Sequence, residues 1–372
     1  MKPPQSVRVS EKMKPAVTVL IDTYNHERFI EEAIVSVLEQ DFPASDMEII
    51  VVDDGSTDRT SEIVRKYLPR VRYLRKENGG QASAFNFGVP QARGEIVAFL
   101  DGDDWWVRNK LTTVVEAFAK CPDVGAVGHG YHAVDGLGIV YQTVVPERKY
   151  RLCLRSRDDA DLFSQLRCFL GTSRMAYRRN ILERVLPIPE VLRYEADEYI
   201  WTIAVALADA LVLDLPLFFY RFHGANHYMQ SSHAKQLLRQ RLDVMQGLLD
   251  HLPTRLGSVG VPKEIVRIVM EQNEIGVRRL RLRLEGGRPW QTYSVEQADL
   301  RRAYRSTTRR YRIYKQLSLL LTLVLPPCRF YQLREWYAST NLRRMRSILG
   351  EPEPVAPVVE RAVQSTAENG SH

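Results

Sequence analysis

The chain has 372 residues, 45% of them apolar and 26% charged. This globular balance allows a sizeable core and excludes a disordered or fibrous chain. Lys and Arg outnumber Asp and Glu by 52 to 45, giving a basic protein, and the unpaired spacing of Cys121, Cys153, Cys168 and Cys328 excludes a zinc ribbon or a disulfide framework. Residues 1–14 are polar, hold Pro3 and Pro4, and read as a loose tail without the apolar stretch of a secretory signal. Residues 16–21 form an apolar run that predicts a strand. It ends in Asp22-Thr23-Tyr24-Asn25, and a helix is expected over about 28–40. A second strand over 47–52 ends in Asp53-Asp54-Gly55-Ser56-Thr57-Asp58. There Gly55 permits the turn, and Ser56 or Asp58 can cap a helix running to about residue 67. A third strand, 71–75, leads into Asn78-Gly79-Gly80, which opens a further helix.

Residues 96–100 are a fourth buried strand, followed at once by Asp101-Gly102-Asp103-Asp104-Trp105-Trp106. Like charges that close repel, so the cluster is either a solvated acidic turn or the seat of a cation. Oxygen ligands on a short loop suit Mg²⁺ or Mn²⁺, above all where a phosphate supplies further oxygens. Successive βα units that end in polar groups favour a shared site, because open α/β sheets bind ligands at the carboxyl ends of their strands. Further strands are expected at 124–128, 173–177 and 211–215. Tyr194-Glu195-Ala196-Asp197-Glu198 then places three carboxylates just ahead of an apolar helix, where they either favour the helix N-terminus or perform chemistry.

The succession Thr23-Tyr24-Asn25, Val52-Asp53-Asp54-Gly55-Ser56, Asn78-Gly79-Gly80 with Asn86-Phe87-Gly88, and Leu100-Asp101-Gly102-Asp103-Asp104 resembles the family 2 glycosyltransferases over about residues 14–230. The resemblance implies a GT-A fold: an α/β domain over 15–230 with a central, mostly parallel sheet flanked by helices. It also implies an inverting enzyme that moves a sugar from a nucleotide-sugar donor, expected to be a UDP-sugar, to a hydroxyl of a glycan or lipid-linked acceptor. Asp103, with Asp101 beside it, is then the ligand of Mn²⁺ or Mg²⁺, and Asp104 either shares the metal or binds a donor hydroxyl. Asp54 is expected to accept from the imide N–H of the base, with Thr23 and Asp53 as neighbouring polar contacts. Tyr24 either stacks on the base or belongs to the core. Asn78 and Gly80 lie beside the donor ribose and diphosphate. Asp197 is the expected base for the acceptor hydroxyl, with Glu198 and Glu195 behind it. Tyr220-Arg221-Phe222-His223-Gly224-Ala225-Asn226 matches another family element. In it His223 either completes the metal shell or is structural, and Arg221 can neutralise phosphate charge. Trp105 and Trp106 either wall the acceptor or anchor their loop.

From about residue 231 the pattern turns helical and basic, with arginines at 278–283, 301–302, 305 and 309–312. The apolar run 317–325, followed by Pro326-Pro327 and by Phe330, Tyr331, Trp336 and Tyr337, is too short to span a bilayer. It is either a core helix or an element that lies on a membrane surface, and its basic flanks favour the surface of the cytoplasmic leaflet. No base-reading module accompanies the arginines, so nucleic acid is not the expected partner. Residues 351–372 read as a disordered tail. Two rivals remain: a sugar nucleotidyltransferase, which needs a glycine-rich basic loop where Asp22-Thr23-Tyr24-Asn25 stands, and a non-catalytic partner protein with the same fold. The acceptor, the linkage and the oligomeric state are not written in the sequence.

Overall fold

The computed structural model describes residues 14–223, 235–303 and 309–339. Ten strands among them form one sheet: β1 (Val17–Thr23), β2 (Met47–Asp53), β3 (Arg72–Arg75), β4 (Ile96–Asp101), β5 (Trp105–Trp106), β6 (Ala126–Val134), β7 (Val140–Val144), β8 (Tyr150–Leu152), β9 (Ala176–Arg178) and β10 (Ala210–Arg221). The main path runs β3-β2-β1-β4-β9-β6-β10-β5, with β7 beside β6 and β8 beside β10. β3, β2, β1 and β4 pair in parallel, as do β6 and β10. The antiparallel β9 joins the two groups, pairing with both β4 and β6. Continuous Val, Ile and Leu runs in β1, β2 and β4 are buried on both faces, as parallel strands covered by helices require.

Covering helices are α1 (Ile30–Leu38), α2 (Thr60–Arg65), α3 (Gln81–Gly88), α4 (Lys110–Lys120), α5 (Arg157–Leu166), α6 (Arg179–Val185) and α7 (Ala196–Leu207). The second half of the chain gives α8 (Lys235–Ser258), α9 (Lys263–Glu285), α10 (Pro289–Ala303), α11 (Arg309–Val324) and α12 (Pro327–Ser339). Val244, Leu248, Leu252 and Leu256 of α8, with Ile265, Val269 and Met270 of α9, belong to the same buried core as the sheet. A second, small cluster of Ile275, Leu282, Val295 and Tyr331 holds α10 and α12 against the far half of α9.

Two strand expectations need correction. The run at 173–177 becomes a strand only from Ala176, where pairing to Ala98 and Val127 begins. Ahead of it Thr172–Arg174 is a single 3-10 turn, closed by Arg174 N–H donating to Gly171 O (2.9 Å) and Met175 N–H to Thr172 O (3.3 Å). The last strand does not end at Leu215, because β10 continues to Arg221. Pro216 is tolerated there since it falls at an irregularity of the β10–β6 register, where no ladder donor is needed. Tyr220 and Arg221 are therefore strand residues. The terminal tails, and Ala225, Asn226, His227 and His233, lie outside the described residues.

Candidate active site

Sheet register assembles the site. Thr23 of β1 is level with Asp53 of β2, and Asp22 is level with Asp101 of β4. Asp54 N–H donates to Thr23 O (2.9 Å) and Gly102 N–H to Asp22 O (2.9 Å), so three strand ends are laced into one rim. Gly102 is needed there, since a Cβ would stand 2.7 Å from both His26 Nδ1 and Thr23 Oγ1.

Asp101 and Asp103 lie on this rim as expected. Burial, then the charges of Asp103 and Asp197, push the Asp101 carboxyl up to about 8. Burial acts on Asp103 in the same direction, but His26 and the hydrogen bond from His223 outweigh it and hold that group low. His223 Nε2 lies 3.0 Å from Asp103 Oδ2, and His26 Nε2 lies 4.0 Å from the same atom. Asp22 is also part of the cluster: its Oδ1 is buried with no hydrogen bond, and burial with the Asp101 and Asp103 charges raises its carboxyl. A divalent cation fits this arrangement, because it would relieve three crowded carboxylates. Among the described residues no three such side chains form a ready-made cage.

Asp104 is buried beside this cluster, and burial with the Asp103 and Asp101 charges raises its carboxyl. It accepts from Ser173 Oγ (2.7 Å) and Arg221 N–H (3.0 Å). Arg221 is buried over Phe29 and Trp105, with Nε donating to Asp103 O (3.1 Å) and its other end paired with Glu32. Its place is thus behind the Asp103 backbone. Trp105 stacks on Phe219, and Trp106 is buried over the Lys110 ammonium. Both tryptophans anchor the loop through the β5–β10 pairing.

On the β2 side the structure revises two expectations. Asp53 is wholly buried and holds its own turn, accepting from Ser56 N–H (2.7 Å) and from the Tyr73 hydroxyl. Asp54 is not an open acceptor for a base. Its Oδ1 receives Lys76 Nζ (2.7 Å) and Gly79 N–H (3.0 Å), and its Oδ2 receives Gly80 N–H (2.6 Å) and Asn78 Nδ2 (3.1 Å). The carboxylate therefore shapes the Asn78–Gly80 loop. Tyr24 is 42% exposed and so is not a core aromatic, whereas Thr23 is buried against His26 (3.2 Å). An open groove of about 600 Å³ lies beside this loop, lined by Gly55, Arg75, Lys76, Glu77 and Asn78.

Asp197 approaches from the first turn of α7. Its Oδ2 accepts from Thr172 N–H (3.1 Å), and burial, only partly offset by that bond, raises its carboxyl. Glu198, one residue on, does not join it. Successive residues on a helix point about 100° apart, and Glu198 is taken by Asn273 Nδ2 of α9 (2.9 Å) and Arg167 (3.3 Å). Glu195 stands at the helix entrance with a left-handed φ of 59°.

Several site residues were not anticipated. Gln81, Thr172 and Ser173 link the acidic groups. Arg174, half-buried over Tyr131 (4.6 Å) and Tyr220 (5.4 Å), supplies positive charge that favours the ionised forms of Asp101 and Asp197. An arginine inside an apolar run read as strand gives no sign of such a position.

The architecture, a mixed sheet between helix layers with acidic groups at its strand ends, is that of the GT-A glycosyltransferases. Residues 18–186 match the profile of glycosyl transferase family 2. An uncharacterised glycosyltransferase of Nostoc sp. is 38% identical over 226 residues, which cover 59% of this chain and 68% of that protein. Poly(ribitol-phosphate) beta-N-acetylglucosaminyltransferase TarS of Staphylococcus aureus is 42% identical over 92 residues, 24% of this chain and 16% of TarS. The crystal structure of TarS residues 1–349 in complex with UDP has the same fold, with a TM-score of 0.54 at 21% identity over 84% of this chain and 88% of that one. The chain belongs to glycosyl transferase family 2 and is a glycosyltransferase.

Proposed function

We propose that this glycosyltransferase is a metal-dependent, inverting enzyme that moves a sugar from a UDP-sugar to a hydroxyl of a glycan or lipid-linked acceptor during cell-surface polysaccharide synthesis. The observation that carries the reading is the convergence of Asp101, Asp103 and His223 with Asp197 at one rim of the sheet. The kinship with TarS, whose fold is solved with UDP, supports the choice of nucleotide.

In this reading Tyr24 stacks on the uracil and the groove beside Lys76 and Asn78 receives the nucleotide. Asp54 acts by holding the backbone N–H groups of the loop in place, so that the loop is preorganised when the donor arrives. Asp103, His223 and Asp101 would hold Mn²⁺ or Mg²⁺, which when bound neutralises charge on the departing nucleoside diphosphate. Asp197 takes the proton of the acceptor hydroxyl as that oxygen attacks the anomeric carbon from the face opposite the leaving group. Burial makes Asp197 a stronger base than an ordinary carboxylate.

Purified protein should hydrolyse one donor of a nucleotide-sugar panel slowly in the presence of Mn²⁺, and Asp103→Ala should abolish it. Absence of both turnover and nucleotide binding in the wild type would refute the reading.

The setting we propose is the cytoplasmic face of a membrane. No helix among the described residues is long and apolar enough to cross one. α11 instead leaves Leu317, Leu320, Leu321 and Val324 exposed on one face, and between residues 300 and 350 Glu335 is the sole acid against a run of arginines. An apolar stripe in basic surroundings suits anionic headgroups better than a like-charged second copy. Cosedimentation with phosphatidylglycerol vesicles should be lost in Leu317→Asp/Leu321→Asp, while hydrolysis of soluble donor is unchanged. Retained binding by that variant would refute this placement.

A further inference from the structure

We infer that Gln81 is a positioning residue of the transfer reaction, which sets the spacing between the Asp101 and Asp197 carboxylates through Thr172. The inference rests on the assignment of Asp101 to the donor side and Asp197 to the acceptor side given above.

Gln81 is the first residue of α3, directly after the loop that Asp54 holds. Its carboxamide reaches three other elements. Nε2 donates to Thr172 Oγ1 (3.2 Å) and stands 3.5 Å from Asp101 Oδ1, while Oε1 accepts from Ala196 N–H (3.0 Å). Ala196 opens α7, where first-turn N–H groups have no partner within the helix. Thr172 N–H in turn donates to Asp197 Oδ2 (3.1 Å), and the next residue, Ser173, places its Oγ 3.2 Å from Asp101 Oδ2 and 2.7 Å from Asp104 Oδ2. Gln81 and the turn Thr172–Arg174 thus form the one short polar bridge, among the described contacts, between the rim of β4 and the start of α7.

The residue type matters. A carboxamide both donates and accepts, as this position demands. A carboxylate could not donate to Thr172 and would add a further charge beside Asp101, and an ammonium could not accept from Ala196. Nor is the side chain needed merely to join the elements. Gln81 N–H already donates to Arg193 O (2.7 Å) and Ala82 N–H to Leu192 O (3.3 Å), so the backbone alone pins α3 to the segment before α7. What the carboxamide adds is aimed at the two reacting ends. It also ties the donor loop to the acceptor-side base, so a donor seated on that loop meets Asp197 at a fixed distance.

The test uses the full-length protein with Mn²⁺ and the donor it hydrolyses, comparing Gln81→Met, Thr172→Val, Thr172→Ser and the Gln81→Met/Thr172→Val double variant. Loss of a residue that orients an active group costs about 10–100-fold in comparable settings. Gln81→Met and Thr172→Val should each lower kcat by about that much with donor KM within about threefold of wild type. Thr172→Ser keeps the hydroxyl and should restore kcat, and the double variant should be no worse than the poorer single one, as for residues acting as a unit. Thermal unfolding is recorded for each variant, and if Gln81→Met fails to fold, the Thr172 pair decides. A raised KM with unchanged kcat, multiplying losses in the double variant, or equal impairment of Thr172→Ser and Thr172→Val would overturn the inference. A wild-type protein that turns over no donor would instead overturn the functional reading beneath it.

Discussion

Gly80→Ala tests whether the donor loop and the base segment are in such close contact that neither can move alone. Gly80 has φ 87° and ψ 177°, a region that side-chain-bearing residues avoid at a cost of about 1–3 kcal/mol. A Cβ there would lie 2.6 Å from both Arg193 Cα and Arg193 O, against 3.4 Å for ordinary contact. Both obstacles are backbone, so no rotamer change relieves them, and the 192–196 segment must retreat by about 0.8 Å. That retreat stretches the Gln81–Arg193 bond of 2.7 Å and carries with it the start of α7, which holds Asp197. A misplacement near 1 Å costs about 100-fold in a positioned reaction. Donor hydrolysis by Gly80→Ala should therefore fall by about two orders of magnitude in kcat. The strain itself should lower Tm by about 2–4 °C per kcal/mol at most, since the shift shrinks with chain length. Gly257→Ala is the control, because it lies in α8 with no atom within 4 Å of its Cβ and should be neutral or slightly stabilising. If Gly80→Ala kept wild-type kcat and Tm while folding normally, the tight coupling of loop and base segment would be wrong.

Three further outcomes follow from the same geometry. The carboxyl of Asp197 is raised, mainly by burial, and a base works only when deprotonated. Activity should thus climb with pH through a midpoint above the ordinary value of about 3.9, and Asp197→Asn should remove activity across the range; an acid limb at or below 3.9 would contradict the assignment. For Asp54→Asn, an amide is set against donors that now meet a carboxylate. It should lose about 1–3 kcal/mol of stability and raise donor KM, whereas a change in base preference at unchanged Tm would restore the base-reading role. Glu296 accepts from Arg279 (2.8 Å), Arg334 (2.7 Å) and Tyr331 (3.1 Å). Burial raises its carboxyl but the two arginines outweigh that and hold it low. A depressed folded pKa stabilises above the unfolded value of about 4.3 and is lost as pH falls through the folded one. Glu296→Gln should accordingly loosen α10–α12 at neutral pH, read by hydrogen exchange, and the difference from wild type should vanish in acid; equal protection at pH 7 would count against it.

The parts of the site that were legible in the sequence are those where charge interrupts an apolar run. Asp101, Asp103 and Asp197 each follow or precede a strand or helix whose periodicity is plain, and parallel register then brings those ends together. Illegible parts depend on which atom meets which. Asp54 and Asp103 look alike as carboxylates after strands, yet backbone N–H groups, invisible in a sequence, fill Asp54 and leave Asp103 facing two histidines. Asp197 and Glu198 differ by one helical step, and what separates their roles is Asn273, 75 positions beyond Glu198, on a helix whose sequence reads only as amphipathic and basic.

Gln81, Thr172 and Ser173 were missed for a related reason. Uncharged polar residues in a turn or a first helical turn carry no period, and a run such as Ser173–Tyr177 looks like strand until the 3-10 turn is seen. Yet these neutral groups are what a crowded acidic site requires between its carboxylates. Burial first, and then the charges of neighbouring acids, already raise Asp22, Asp101, Asp104 and Asp197. A further acid would deepen that repulsion, and a free lysine or arginine would compete with any cation the site binds. Of the cations packed beside them, Lys110 and Arg221 are buried, and Arg174 lies over the rings of Tyr131 and Tyr220, where its charge favours the ionised forms of Asp101 and Asp197. Spacing in this site is therefore set by amides and hydroxyls and charge by the residues around them, which is why a reading based on charge finds the reacting groups before it finds what holds them apart.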